Sequence, residues 1–141
     1  MTLLDDLHAA WNRHDPEGVA AHYTEDGVRE EFLITHARAQ GREAVAAQVQ
    51  LYLDAIPDAT LDFRNTYSDG GDVTTIEWTF SGTHTGDAEG WPARGEHVVL
   101  PGVTIIEASN GQIRSERVYA DFAILLAGAG VLPGVEPPTF S

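Results

Sequence analysis

The chain has 141 residues, the size of one ordinary domain, and it contains no cysteine, so disulfides, zinc–thiolate sites and cysteine nucleophiles are excluded. It carries 22 Asp and Glu residues against 8 arginines and no lysine, which gives a formal net charge of −14. This balance disfavours nucleic acid and anionic membrane surfaces as partners, because both are bound through Lys and Arg.

Two further features bear on location. Acidic residues stand at positions 5 and 6, where a signal peptide would need an apolar segment, and no apolar run reaches the roughly 18 residues of a membrane span. We therefore expect a cytoplasmic protein that has no membrane partner.

Helix signals dominate the first part of the chain. Residues 2–13 begin with a capping box and place apolar side chains on one stripe. Asp15 followed by Pro16 is typical of a helix start and predicts a short second helix. A third helix is predicted after Gly41, and Pro57 ends it.

Strand signals follow. A strand is predicted over residues 28–34, where the adjacent Glu30 and Glu31 indicate an exposed sheet edge, and residues 35–40 are predicted to form a loop. The later strands are predicted at residues 60–67, 73–85, 97–108 and 111–121.

Helices first and a meander of strands afterwards predict an α+β fold in which helices cover one face of an antiparallel sheet. We expect a single domain over residues 1–133. Residues 134–141 belong to a tail that is rich in proline and lacks periodicity.

The last strand carries the candidate catalytic residue. Alternation puts Arg117, Tyr119 and Asp121 on one face and Ala120 and Phe122 on the other. A carboxylic acid sheltered from water has a raised pKa and can exchange protons, which makes Asp121 a candidate acid and base. The alternative is that Asp121 is an N-cap for the helix that follows it.

The sequence resembles the SnoaL-like polyketide cyclases of the nuclear transport factor two-like superfamily. The resemblance spans about residues 8–133 and rests on the segments WNRHDPEGVAAHYTEDGV, GREAV, WTFSGTHTG, GWPARG, VVLPGVTIIEASNGQI and ERVYADFAILLAGAGVLP. It implies a curved sheet wrapped by helices into an open cone.

The same resemblance implies intramolecular aldol ring closure of a polyketide-like substrate without a metal or cofactor. Asp121 matches the family's acid and base, and His84 matches a histidine at the cavity mouth. Ala120 departs from the family, which usually has an aromatic residue before the aspartate. The superfamily also includes isomerases, dehydratases, epoxide hydrolases and non-catalytic binding modules, and these remain alternatives.

Other residues are candidates for substrate binding. Tyr119 could donate a hydrogen bond to an enolate oxygen, and Trp78 and Trp91 could form walls for a flat aromatic substrate. Arg117 either reaches the cavity or pairs with a nearby glutamate, and His36 either approaches the cavity or lies at its rim.

Other residues bear on the core, on metal binding and on assembly. Phe32 and Phe80 are predicted to belong to the core. A metal site at His84, Glu96, His97 and Asp121 is set aside, because adjacent strand residues point to opposite faces. Apolar residues on the outward strand faces predict a homodimer or homotetramer formed through the sheet; they are Val99, Val103 and Ile105.

Overall fold

The computed structural model describes residues 2–33, 36–87 and 92–128. Trp91 and the predicted tail lie outside these ranges. The elements in chain order are α1 (Leu3–Asn12), α2 (Pro16–Ala20), β1 (Tyr23–Phe32), β2 (His36–Gln40), α3 (Arg42–Ala55), β3 (Thr60–Ser68), β4 (Val73–Thr83), β5 (His97–Ser109), β6 (Gln112–Ala120) and α4 (Ala123–Gly128).

Side-chain caps fix the beginnings of the first two helices. The Thr2 hydroxyl accepts a hydrogen bond from the Asp5 amide at 3.2 Å, which completes the predicted capping box at α1. Asp15 accepts one from the Gly18 amide at 2.9 Å and starts α2. Both predicted helix starts are confirmed.

Six strands form one curved, open sheet in the order β2-β1-β6-β5-β4-β3. All neighbouring pairs are antiparallel except β1 and β6, which run parallel. The predicted α+β class is confirmed, and the expectation of a purely antiparallel sheet is wrong at that one pair. The β1–β6 pair joins strands from opposite ends of the chain. A meander, in which each strand pairs with the next one along the chain, does not predict such a pair.

The structure corrects the predicted edge at β1. This strand lies between β2 and β6, and β2 occupies the segment that was predicted to be a loop. Glu30 is half-buried and its Oε2 accepts a hydrogen bond from His36 Nε2 at 2.7 Å, whereas Glu31 is only 4% exposed. The two glutamates therefore point to opposite faces, one towards solvent and one inwards.

The core lies between the inner face of the sheet and the helices. Its largest fully buried side chains come from α2, α3 and α4, from the segments that follow α3 and β4, and from four strands. They include Tyr23, Val45, Val49, Ile56, Ile76, Ile106 and Ile113. This core leaves the sheet's opposite face uncovered by the described helices.

That uncovered face carries apolar and aromatic side chains. Val99 is 49% exposed and Tyr119 is 42% exposed, while Val103 and Ile105 are half-buried. Contiguous exposed apolar surface of this kind marks interaction sites in soluble proteins. Assembly through the sheet stays a prediction.

We expect the protein to run in solution as a dimer or tetramer of the 15.2 kDa chain. Val103→Asp places a negative charge at the middle of the uncovered face, directly opposite Glu77, and should shift the assembly towards monomer. Leu51→Asp, at a 40% exposed position on α3, is the matched control and should leave the assembly intact. Light scattering that gives a monomer mass for the unaltered chain at micromolar concentration would contradict this prediction.

Candidate active site

A small cavity lies between the inner face of the sheet and α1 and α3. Its free volume is about 50 Å³. That is enough for a few water molecules or one small chemical group, and well below the roughly 300 Å³ of a pocket that encloses a drug-sized ligand. Its walls are formed by Leu7, Trp11, Arg29, Glu31, Leu33, Tyr52, Leu61, Phe63, Trp78, Phe80, Leu100, Thr104, Glu116, Val118, Ala120 and Phe122.

The cavity is apolar at one end and charged at the other. Leu33, Phe63, Trp78 and Ala120 are partly exposed and form its mouth. The charged residues of the wall are all buried and lie at the opposite end, which we call the floor. A ligand that enters would therefore keep its apolar part at the mouth and present a polar group to the floor.

The floor consists of one arginine between two glutamates. Arg29, Glu31 and Glu116 are 5%, 4% and 7% exposed. The Arg29 Nη1 donates to Glu31 Oε2 at 2.8 Å, and its Nε lies 3.4 Å from Glu116 Oε1. Arg29 Nη1 also donates to Gln48 Oε1 at 2.6 Å. We call these three charged residues the Arg29 cluster; with all of them ionised its formal charge is −1.

Strand register brings the cluster together. Arg29 in β1 is directly opposite Glu116 in β6, and Glu31 is opposite Val118. Directly opposed residues place their side chains on the same face of a sheet, and residues two apart on one strand share that face. The parallel pairing of β1 with β6 therefore puts both glutamates on the inner face beside Arg29.

Neutral hydroxyl groups complete the floor. Tyr23 donates to Glu116 Oε1, and the Thr104 hydroxyl donates to Glu116 Oε2 at 2.7 Å. The Tyr52 hydroxyl hydrogen-bonds Glu31. Glu116 thus accepts a hydrogen bond from a hydroxyl group on each of its two oxygens.

Burial shifts the pKa of several groups at the floor. Burial by itself lowers the pKa of the Arg29 guanidinium, but Glu31 and Glu116 outweigh it and raise that pKa above its ordinary value. Desolvation, followed by the charge of a neighbouring glutamate, raises the pKa of both Tyr23 and Tyr52 well above 10.0. Arg29 therefore stays charged, and both tyrosines stay neutral donors, at any physiological pH.

Asp121 lies outside this cavity. It is exposed and borders a shallow depression on the sheet's outer face, together with Tyr119, because Ala120 and Phe122 take the inward positions. The expectation that its carboxyl is sheltered from water is wrong. The predicted alternation holds from Ser115 onward, but the face that turns inward is the other one, and a register shift before Ser115 turns Ile113 inward as well.

His84 is also remote from the cavity wall. It is 1% exposed, and its Nε2 has no hydrogen-bond partner among the described residues. Its amide donates to the Glu96 carbonyl at 2.9 Å, which fixes the chain just beyond β4. The expected position at the cavity mouth is wrong, because His84 is enclosed near the end of α3 instead.

The other candidates divide between the two faces. Trp78 and Phe80 line the cavity. Arg117 lies 3.7 Å from Glu107, which is the glutamate pairing considered as the alternative to a cavity position. His36 contacts Glu30 and stacks on Phe32, which in turn stacks on Tyr119, with ring centroids 4.7 and 5.0 Å apart.

Sequence reasoning missed all three members of the Arg29 cluster. The sequence did contain a signal, which was a charged residue that shares its strand face with apolar residues. Glu31 shares its face with Leu33, and Glu116 shares its face with Val118 and Ala120. This pattern places each glutamate on the same face as apolar residues, but alternation alone does not tell which of the two faces is buried.

Two structural observations concern other kinds of site. Within residues 2–33, 36–87 and 92–128, no group of three or more His, Asp or Glu side chains is placed to hold a metal ion. In the same part of the chain, no helix has both the length and the apolar character needed to cross a membrane.

Comparisons with known proteins agree on the fold. The family model for SnoaL-like polyketide cyclases matches residues 2–128. AclR, a candidate hydroxylase from Streptomyces galilaeus, has a TM-score of 0.80 at 24% identity, over 95% of this chain and 82% of that one. A protein of ketosteroid isomerase-like fold from Catenulispora acidiphila, in complex with trimethylamine, has a TM-score of 0.77 at 23% identity. The match covers 94% of this chain and 96% of that one.

A candidate polyketide cyclase from Xanthomonas campestris has a TM-score of 0.73 at 25% identity, covering 90% of this chain and 93% of that one. No curated protein matches the sequence. The structural likenesses confirm the predicted cone-shaped fold, and the family match covers nearly the whole chain.

The tyrosines at the floor should make the protein sensitive to alkali. The unfolded chain releases tyrosine protons near pH 10.0, whereas the folded chain keeps them because the pKa of Tyr23 and Tyr52 is raised. Their contribution to stability is complete below pH 10 and is lost as the pH rises further, by up to about 1.4 kcal/mol per pH unit for each group.

Urea unfolding at pH 8 and pH 11 tests this. Tyr52→Phe should reduce the loss of unfolding free energy between the two pH values, because one titrating hydroxyl is gone. Tyr67→Phe, at a position that is 55% exposed, is the control and should change the loss far less. If Tyr52→Phe and the unaltered chain lose the same unfolding free energy between the two pH values, the raised pKa of Tyr52 is contradicted.

Proposed function

Because the chain belongs to the SnoaL-like polyketide cyclase family, we propose that it binds a small, largely apolar polyketide-like molecule in the interior cavity and transfers protons on it. The observation that carries this proposal is the Arg29 cluster at the floor of an otherwise apolar cavity. Buried carboxylates that face a cavity are candidates for acid–base chemistry.

Glu31 is the better candidate base. Both oxygens of Glu116 accept hydrogen bonds from hydroxyl groups, so that carboxylate is anchored and mainly serves to hold Arg29. Glu31 is bound to Arg29 through Oε2 and to the Tyr52 hydroxyl, and it shares its face with Leu33 at the cavity mouth. A substrate that enters past Leu33 reaches Glu31 on the same strand.

The reaction we propose is an aldol-type ring closure. The Glu31 carboxylate takes a proton from the carbon next to a substrate carbonyl, and the electron pair of that C–H bond forms an enolate. The enolate carbon attacks a second carbonyl carbon of the same molecule, so a C–C bond forms and the carbonyl π pair moves onto its oxygen. That alkoxide takes the proton back from Glu31, and no oxidant, reductant or metal is consumed.

Arg29 and Tyr52 assist without changing their own protonation state. The raised pKa of Arg29 keeps its positive charge at the floor, where it lowers the energy of a developing enolate or alkoxide. A hydroxyl with a raised pKa is a weak acid, so Tyr52 is suited to donating a hydrogen bond rather than releasing a proton.

A second candidate function is the binding of a small protonated amine. The formal charge of the Arg29 cluster is −1, and aromatic rings of Trp11, Tyr52 and Phe80 surround the same cavity. Aromatic faces and a carboxylate together attract alkylammonium groups. A structural relative at 23% identity is described in complex with trimethylamine.

Exchange of α-hydrogens for deuterium tests the assignment of the base without knowledge of the natural substrate. 2-Butanone in D₂O, followed by NMR, should exchange its α-hydrogens faster in the presence of the protein. Glu31→Gln keeps the shape but removes the proton acceptor, so the catalysed rate should fall by about 10²- to 10⁴-fold.

Asp121→Asn is the matched control, since it makes the same chemical change at the carboxylate predicted from the sequence. Because Asp121 is exposed and outside the cavity, the catalysed rate should stay within about twofold of the unaltered protein. A large loss in Asp121→Asn with full activity in Glu31→Gln would reject our assignment and support the prediction from the sequence. No exchange above the buffer rate would count against acid–base catalysis on ketones.

Calorimetry with trimethylamine hydrochloride tests the second candidate. If the cavity binds amines, heat should be released on titration, and Glu31→Gln should weaken the affinity because it removes one negative charge. No measurable heat with the unaltered protein, or equal affinity in the variant, would exclude amine binding at the Arg29 cluster.

A further inference from the structure

Four residues from four neighbouring strands form a row across the cavity mouth. Phe63 is directly opposite Trp78, Trp78 is opposite Gly102, and Gly102 is opposite Ala120. Directly opposed residues share a face, and Phe63, Trp78 and Ala120 all line the cavity. The row therefore consists of two large aromatic side chains followed by two positions with almost no side chain.

The Trp78 indole lies over Gly102. A Cβ atom added at Gly102 would overlap three carbons of the indole ring. Gly102 has no positive φ, so its backbone does not require glycine. The absence of a side chain instead provides the space in which the indole lies flat against β5.

Ala120 extends this space to the next strand. It is half-buried and stands opposite Gly102, beyond the indole. A large side chain here would compete with the indole for the mouth of the cavity. The small residue at position 120, which departs from the family pattern, is thus matched by a large residue at position 78.

We propose that Trp78 determines the size of the molecule that the cavity admits, and that Gly102 and Ala120 are small so that the indole can cover the mouth. The proposal rests on the proposed function only in taking this cavity as the substrate site. A cavity of roughly 150 Å³ binds benzene. The free volume of about 50 Å³ therefore excludes even a single aromatic ring while the indole is in place.

The consequence concerns the substrate class. With the indole in this position, the floor receives the carbonyl end of a slender chain or of a molecule whose ring stays at the mouth. A fused-ring substrate reaches Glu31 only if the indole is displaced. Replacing Trp78 with a small residue should therefore widen the range of ligands rather than abolish binding.

Binding of N-phenyl-1-naphthylamine, an uncharged probe whose fluorescence rises in apolar surroundings, tests this directly. The unaltered protein should give little enhancement at micromolar probe. Trp78→Ala should bind the probe at least tenfold more tightly, and Gly102→Ala should do so as well, because its Cβ displaces the indole. Tyr67→Ala removes an aromatic side chain that is exposed and outside the cavity, and should behave like the unaltered protein.

A rescue variant distinguishes two causes of a gain in probe binding, the loss of the aromatic ring at the mouth and a general loosening of the fold. Trp78→Ala combined with Ala120→Phe restores an aromatic ring at the neighbouring position, so probe binding should fall back at least fivefold. Circular dichroism checks that each variant is folded, and Trp78→Leu replaces Trp78→Ala if the latter is not.

Strong probe binding by the unaltered protein, no gain in the Trp78 variants, or an equal gain in Tyr67→Ala would each overturn the proposal. Probe binding needs no proton transfer, so the result is independent of the exchange assay. Glu31→Gln should exclude the probe to the same extent as the unaltered protein. Absence of catalysed exchange in the unaltered protein, together with retained exclusion of the probe, would therefore reject the proposed function and leave the role of Trp78 intact.

Discussion

The buried ion pairs of Arg29 with Glu31 and Glu116 are the interaction on which the site depends. A charge removed from water is tolerated only when it is paired, and removing one partner of such a pair typically costs about 3–5 kcal/mol. The pairing is possible only because β1 and β6 run parallel with Arg29 opposite Glu116. A register shift of one residue would turn these side chains to the outer face, so the ion pairs and the strand register depend on each other.

The same interaction explains the shape of the cavity. Hydrogen bonds from Tyr23 and Thr104 hold Glu116 in place, whereas the buried Nε of Arg29 has only an ion-pair contact with Glu116 and no hydrogen-bond partner among the described residues. The rest of the wall is apolar and includes Trp78 at the mouth. In our account, water is scarce around Glu31, which strengthens its interaction with a bound carbonyl compound and with Arg29.

Much of the fold follows from local patterns in the sequence. The caps at Thr2 and Asp15, the glycine before α3 and the alternation along β6 predicted the elements correctly, because each depends on neighbouring residues only. The site was harder to predict. Alternation divides a strand into two faces without telling which one is buried, and the apolar residues around Asp121 favoured the wrong choice.

The decisive contacts also join distant parts of the chain. Arg29 contacts Glu116 across a parallel strand pair that no local pattern predicts, and the adjacent charges of Glu30 and Glu31 made β1 resemble an exposed edge. A crystal structure with 2-butanone bound is the most direct test of the central claim. We predict that its carbonyl oxygen lies within about 3.5 Å of the Arg29 cluster. 2-Butanone found only in the outer depression beside Asp121, with the cavity free of it, would contradict the account.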